Sequence, residues 1–101
     1  MSRPANLCHA NFEVVARSND NEEEVVKGHK LMYLMPQKGM YVGEDDLIVI
    51  TDIHYLGSNQ VIVKCAADVG EPLKDGVERV KKIFRKLRIE VTWERKDLAI
   101  E

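Results

Sequence analysis

One stretch of this chain repeats its apolar residues at helical spacing: Val77, Val80, Ile83, Phe84 and Leu87, with Glu78, Arg79, Lys81, Lys82, Arg85 and Lys86 between them. Residues three and four apart share a helix face, so the pattern predicts an amphipathic helix near residues 76–88. Asp75 precedes Glu78 by three residues, the spacing of a reciprocal capping box. A lone amphipathic helix cannot bury its own stripe. Whatever covers it must be built from the rest of the chain, which reads as strands.

Phe12, Val14 and Ala16 alternate with Glu13, Val15 and Arg17, the period of a strand with one wetter face. The polar run at 18–24 is expected to be a solvated loop, with structure resuming near Val25 and a second apolar run at 31–35 that Pro36 ends. "LIVITDIHYL" at 47–56 is β-branched and nearly continuous in hydrophobicity, and "GSN" at 57–59 suits a hairpin loop before the return strand "QVIVKCAA". After the helix, Ile89, Val91 and Trp93 alternate with Glu90, Thr92 and Glu94. The order β-β-β-β-α-β gives a two-layer α+β domain with a mostly antiparallel five-stranded sheet and the helix on it. A partly closed barrel plugged by the helix is the variant. Residues 1–10 are expected to be an irregular lead-in, and 11–101 the single domain. Free strand edges would allow pairing with another copy by sheet extension.

Composition narrows the function classes. The net charge of −2 supplies no global field toward nucleic acid or anionic membrane. It is unevenly spread: residues 1–71 carry 6 Lys/Arg against 11 Asp/Glu, and residues 72–101 carry 9 against 6, so any polyanion contact belongs to the C-terminal third. No apolar run approaches the roughly 20 residues of a spanning helix, and the first residues lack the apolar core of a signal peptide. A cytoplasmic protein with no membrane partner is the expectation. Cys8 and Cys65 are read as free thiols, because a secreted domain of this size usually carries four or more cysteines.

Three clusters bear chemistry. Asp52 and His54 stand two apart, so on a regular strand both project to one face, the face that also carries Ile48 and Ile50. A carboxylate there could orient the imidazole for acid–base work, or both could bind a divalent ion; the plainer reading is a strand leaving the core at Asp52. His9, His29, Cys8 and Cys65 follow no zinc-site spacing, so no metal site and no cofactor are expected. The helix bears the second cluster, Arg79, Lys81, Lys82, Arg85, Lys86 and Arg88. With Lys74 it sums to +5 against Asp75 and Glu78, enough to neutralise phosphates on nucleic acid or to stay a solvated face. The acidic stretches at 20–24 and 44–46 lack the ligand spacing of a calcium loop.

These features point to a small non-catalytic binding or regulatory module that contacts a protein partner or a second copy of itself. The alternatives are a nucleic-acid-binding regulator using the basic helix, and a small enzyme or metal protein centred on Asp52 and His54.

Overall fold

The computed structural model of the chain describes residues 8–32, 37–43, 46–57, 59–70 and 72–94, with the backbone alone for Trp93 and Glu94. Strict alternation makes β1 (Cys8–Arg17), whose even-numbered residues, from Cys8 to Ala16, are buried while the odd-numbered ones are half-buried or exposed. It begins at Cys8, inside the expected lead-in. Its antiparallel neighbour β2 (Glu23–Met32) also starts earlier than the sequence suggests. Of the carboxylates read as loop, Glu23 and Glu24 are strand residues here, and Glu23 opposite Arg17 accepts from its Nε at 2.8 Å. The apolar run at 33–35 lies outside the described residues.

β3 (Tyr41–Val42) is a two-residue strand that the sequence reading did not separate, and it raises the sheet from five strands to six. It leads into β4 (Ile48–Tyr55) and β5 (Gln60–Asp68), the expected hairpin, in which the Leu56 N–H donates to the Gln60 carbonyl at 2.9 Å. Then come the helix α1 (Leu73–Lys86) and the last strand β6 (Glu90–Glu94). The strands lie in the order β3-β4-β5-β1-β2-β6, one mixed sheet that curls without closing, since β3 and β6 remain its edges. Among the described residues, four of the five pairings are antiparallel. The parallel one joins β1 to β5 at the centre.

α1 lies on the inner face of this sheet. Val77, Val80, Ile83 and Phe84 enter a core made with Phe12, Val14, Val26, Ile48, Ile50, Val61 and Val63. Phe84 is fully buried, and its ring centroid stands 6.2 Å from that of Phe12 at a tilt of 56°. The expected capping box does not form. The helix starts earlier, with Pro72 at the N-cap accepting from the Gly76 N–H at 3.0 Å and no side-chain cap, because Leu73 is drawn against the core. Asp75 becomes a first-turn residue, where its carboxylate still faces the positive end of the helix dipole.

The C-terminus is closed more completely. Arg88 takes a left-handed conformation at φ 61°, and the Ile89 N–H returns to the Phe84 carbonyl at 2.8 Å, a Schellman closure with arginine where glycine is usual. Lys30 reaches from the inner face of β2 and donates to the Leu87 carbonyl at 2.6 Å, so a cation sits at the negative end of the dipole. No helix among the described residues is long and apolar enough to cross a membrane.

Candidate functional site: the open face of the sheet

Among the described residues, α1 covers one face of the sheet and nothing covers the other, and the register fixes what stands there. The outer residues of β1 are His9, Asn11, Glu13, Val15 and Arg17. Across β2 they meet Leu31, His29, Lys27, Val25 and Glu23, and across β5 they meet Gln60, Ile62, Lys64, Ala66 and Asp68. β4 continues three of these rows with His54, Asp52 and Val49, and β3 adds Tyr41 beside Val49.

The face is therefore banded. Tyr41, Val49, Ala66, Val15 and Val25 form one apolar row across five strands. A row of alternating charge lies on one side of it: Asp52, Lys64, Glu13, Lys27. On the other side are Asp68, Arg17 and Glu23. A trough of about 470 Å³ opens over the centre of the band, with Val15 and Ala66 at its floor and Arg17, Glu23, Lys64 and Asp68 around it.

Asp52 and His54 are on this outer face, and here the structure corrects the sequence reading. A strict alternation would have placed them with Ile48 and Ile50 on the core side. A bulge between Ile50 and Asp52 shifts the phase, so that Ile53 and Tyr55 oppose Val63 and Val61 on the inner side while Asp52 and His54 turn outward. Thr51 is the extra residue. Its hydroxyl donates to the Lys64 carbonyl at 3.1 Å, supplying a partner where the ladder skips. Nothing in the side chain of a threonine announces a bulge, which is why the pattern misled.

Asp52 and His54 do pair: His54 Nε2 stands 3.0 Å from Asp52 Oδ2. Both side chains are more than half exposed, at 54% and 51%. Asp52 Oδ1 also accepts the N–H of Ile53 at 2.9 Å, and chiefly through that bond the carboxyl is held below its ordinary pKa, with the neighbouring His54 and Lys38 adding to it. That bond satisfies a donor of β4 beyond the reach of the short β3, blunting an edge that would otherwise invite another strand. No group of three or more His, Cys, Asp and Glu side chains able to hold a metal ion forms among the described residues.

His9 and His29 meet across β1 and β2 on the outer face, Nδ1 to Nε2 at 3.0 Å, with ring centroids 5.2 Å apart. One ring must donate its N–H and the other accept, so this bond requires at least one neutral imidazole. The separation of 20 residues hides the pair in the sequence; only the antiparallel register shows it.

On the opposite side of the molecule, Arg79, Lys82, Arg85, Lys86 and Arg88 lie along α1 and its C-terminal turn, on or near the exposed side as expected. Lys81 is more sheltered and donates to Glu78 at 3.0 Å, which lowers the Glu78 pKa. The helix charges and the banded face thus point in opposite directions.

Cys8 and Cys65 are free and buried. Burial pushes the Cys65 thiol up to about 12. A thiol is nucleophilic as its thiolate, so Cys65 is expected to resist iodoacetamide at a pH of about 8 in the folded protein and to react once the chain is unfolded in urea. Mass spectrometry of the labelled chain reads the difference, and labelling of native Cys65 at the rate of an exposed thiol would contradict its burial.

The fold defines a class: a small α+β domain whose curled mixed sheet, among the described residues, carries one helix on its inner face and none on its outer face. No family model matches the chain, and neither a curated protein nor a solved structure matches it.

Proposed function

We propose that this protein is a non-catalytic binding module that works through protein contacts on the bare face of its sheet, self-association among them. The observation that carries the reading is the apolar row Tyr41, Val49, Ala66, Val15 and Val25, left half-buried or exposed between two rows of charge. Contiguous apolar surface rimmed by polar residues marks association sites, whereas singly scattered apolar residues do not. The rows on either side keep the face soluble when it is unoccupied and would set register when it is occupied.

Association through the β3 edge of the sheet has less support. β3 is two residues long and Asp52 caps the donor beyond it. Such short and guarded edges oppose strand addition. The Asp52–His54 pair also stands in open water, both side chains more than half exposed, whereas catalytic groups are ordinarily drawn into a concave pocket.

Sedimentation equilibrium tests the proposal. The wild-type chain is expected to dimerise with a Kd on the order of 10 µM, a value in keeping with a small, charged interface. Ala66→Arg, which raises a long charged side chain from the floor of the trough, should leave a folded monomer. Lys82→Glu with Arg85→Glu, on the far side of the molecule, should leave association unchanged. A wild-type chain that stays monomeric at about 1 mM, some hundredfold above the expected Kd, overturns the reading. So does an Ala66→Arg dimer of undiminished affinity.

A further inference from the structure

We infer that the bare sheet face pairs with the same face of a second copy about a two-fold axis running along the strands between β5 and β1, an arrangement that rests on the self-associating face proposed above. The inference comes from how the charges repeat. Read from β4 to β2, one row is Asp52, Lys64, Glu13, Lys27, and its signs alternate without interruption. A two-fold axis through the middle of the row lays it on its own reverse. Asp52 then faces Lys27 of the second copy, and Lys64 faces Glu13.

The same operation pairs the other rows. Asp68 comes to face Arg17 of the second copy. In the apolar row Ala66 faces Val15, and Val49 faces Val25. In the next row Ile62 faces Asn11, and His54 faces His29. No like charges meet. A C2 interface must be complementary to itself, and few surfaces satisfy this by accident.

Neighbouring placements do less well. An axis through β1 sets Glu13 on Glu13 and Arg17 on Arg17. An axis through β5 sets Lys64 on Lys64 and Asp68 on Asp68. An axis across the strands at the apolar row also matches charges, with Asp68 on Lys64 and Arg17 on Glu13, but it lays Ala66 on Ala66 and Val15 on Val15. The two troughs would then open onto each other. The axis along the strands instead puts Val15 of each copy over Ala66 of the other, large against small, as close packing requires.

The four long strands supply enough surface for a weak dimer. At a spacing of ~4.8 Å, a rise of ~3.3 Å per residue and about nine residues each, they span on the order of 600 Å² in projection, and because the outer face of a curled sheet is convex the contact centres on β5 and β1 and stays below the ~800 Å² per partner of a standard interface. Two twisted sheets meeting in this way keep their strands within about 30° of alignment.

The test uses charge reversals that are repaired only between chains. Lys64→Glu sets a new carboxylate of each copy against Glu13 of the other, and Glu13→Lys sets a new ammonium against Lys64; symmetry applies each clash twice. Each variant alone is expected to dimerise on the order of 100-fold more weakly than wild type, since opposed like charges cost several kcal/mol. Mixed together, the two should form a heterodimer within about tenfold of the wild-type Kd. Within each chain the repulsion is unchanged by mixing, so recovery reports the contact between copies. Asp68→Lys mixed with Arg17→Glu should behave alike, and this second pair serves if either variant of the first does not fold by circular dichroism.

Failure of heterodimer recovery in a protein whose wild type dimerises and whose Ala66→Arg variant does not would overturn the two-fold while leaving the binding face standing. Recovery instead from Lys64→Glu mixed with Asp68→Lys would overturn it in favour of the axis across the strands. A monomeric wild type removes the binding face itself, and the two-fold with it.

Discussion

Phe84→Ala should lower the stability of this protein by about 3–5 kcal/mol, the range for truncating a buried phenylalanine. Phe84 is fully buried, packs its ring on Phe12, and sits where α1 meets β1 and β2. Truncation removes the apolar area and leaves a hole between two rigid layers, neither of which can close on it without carrying the rest of the helix or sheet along. Domains of this size have net stabilities of only about 5–15 kcal/mol, so this one ring holds a large share of the total. Each kcal/mol moves Tm by roughly 4–8 °C in a domain of about 60–100 residues, and a fall of about 15 °C or more is the expected reading in a thermal melt. Urea unfolding should show a lower midpoint at unchanged slope. A loss under about 1.5 kcal/mol, half the lower bound for such a truncation, would mean that the helix is not seated as described.

That seat was legible in the sequence because helical periodicity is a local signal. Val77, Val80, Ile83 and Phe84 announced the stripe, and the structure buries all four. The alternation of Phe12, Val14 and Ala16 likewise declared an inner and an outer face for β1, and both facts lie within a few residues of chain. The capping box was local too, yet wrong: the pull of Leu73 into the core outweighed a side-chain cap at Asp75.

What the sequence hid is of two kinds. Partner choice is nonlocal: nothing in "FEVVAR" or "VIVKCAA" states that β1 and β5 run parallel at the centre of the sheet. The banded outer face depends wholly on that pairing, so the charge rows appear only once the register is known. Phase is the other kind. Alternation assumes an uninterrupted pleat, and one extra residue at Thr51 inverts every face assignment after it. The two-residue spacing of Asp52 and His54 survives the bulge, so the sequence pairs them, but alternation counted from Ile50 puts them on the wrong side of the sheet. The folded chain thus carries its apolar weight inward through Ile53 and leaves carboxylate and imidazole outside, beside Lys64 and Ile62.

Gly28→Val should cost about 3 kcal/mol or more, against the usual preference of strands for β-branched residues. A glycine inside a strand ordinarily weakens it, and replacing it with valine on an open pleat would help by up to about 1 kcal/mol. The sign reverses here because Gly28 faces inward beneath the helix. A Cβ at that position would stand 2.6 Å from Ile89 Cγ2 and 2.8 Å from Phe84 Cε2. Both neighbours are buried, and Ile89 is tied through its N–H to the Phe84 carbonyl, so neither can retreat alone. Gly28→Ala, with one carbon to place, should cost about 1–3 kcal/mol, and the two γ-methyls of valine add to it. If crowding by the ring is the cause, the penalty of Gly28→Ala must shrink when Phe84→Leu makes room, a coupling that a double-mutant cycle in urea isolates. Strict additivity of the two changes would show that Gly28 is required for some reason other than the close approach of the helix. A neutral or stabilising Gly28→Val would show that β2 and α1 do not meet there at all.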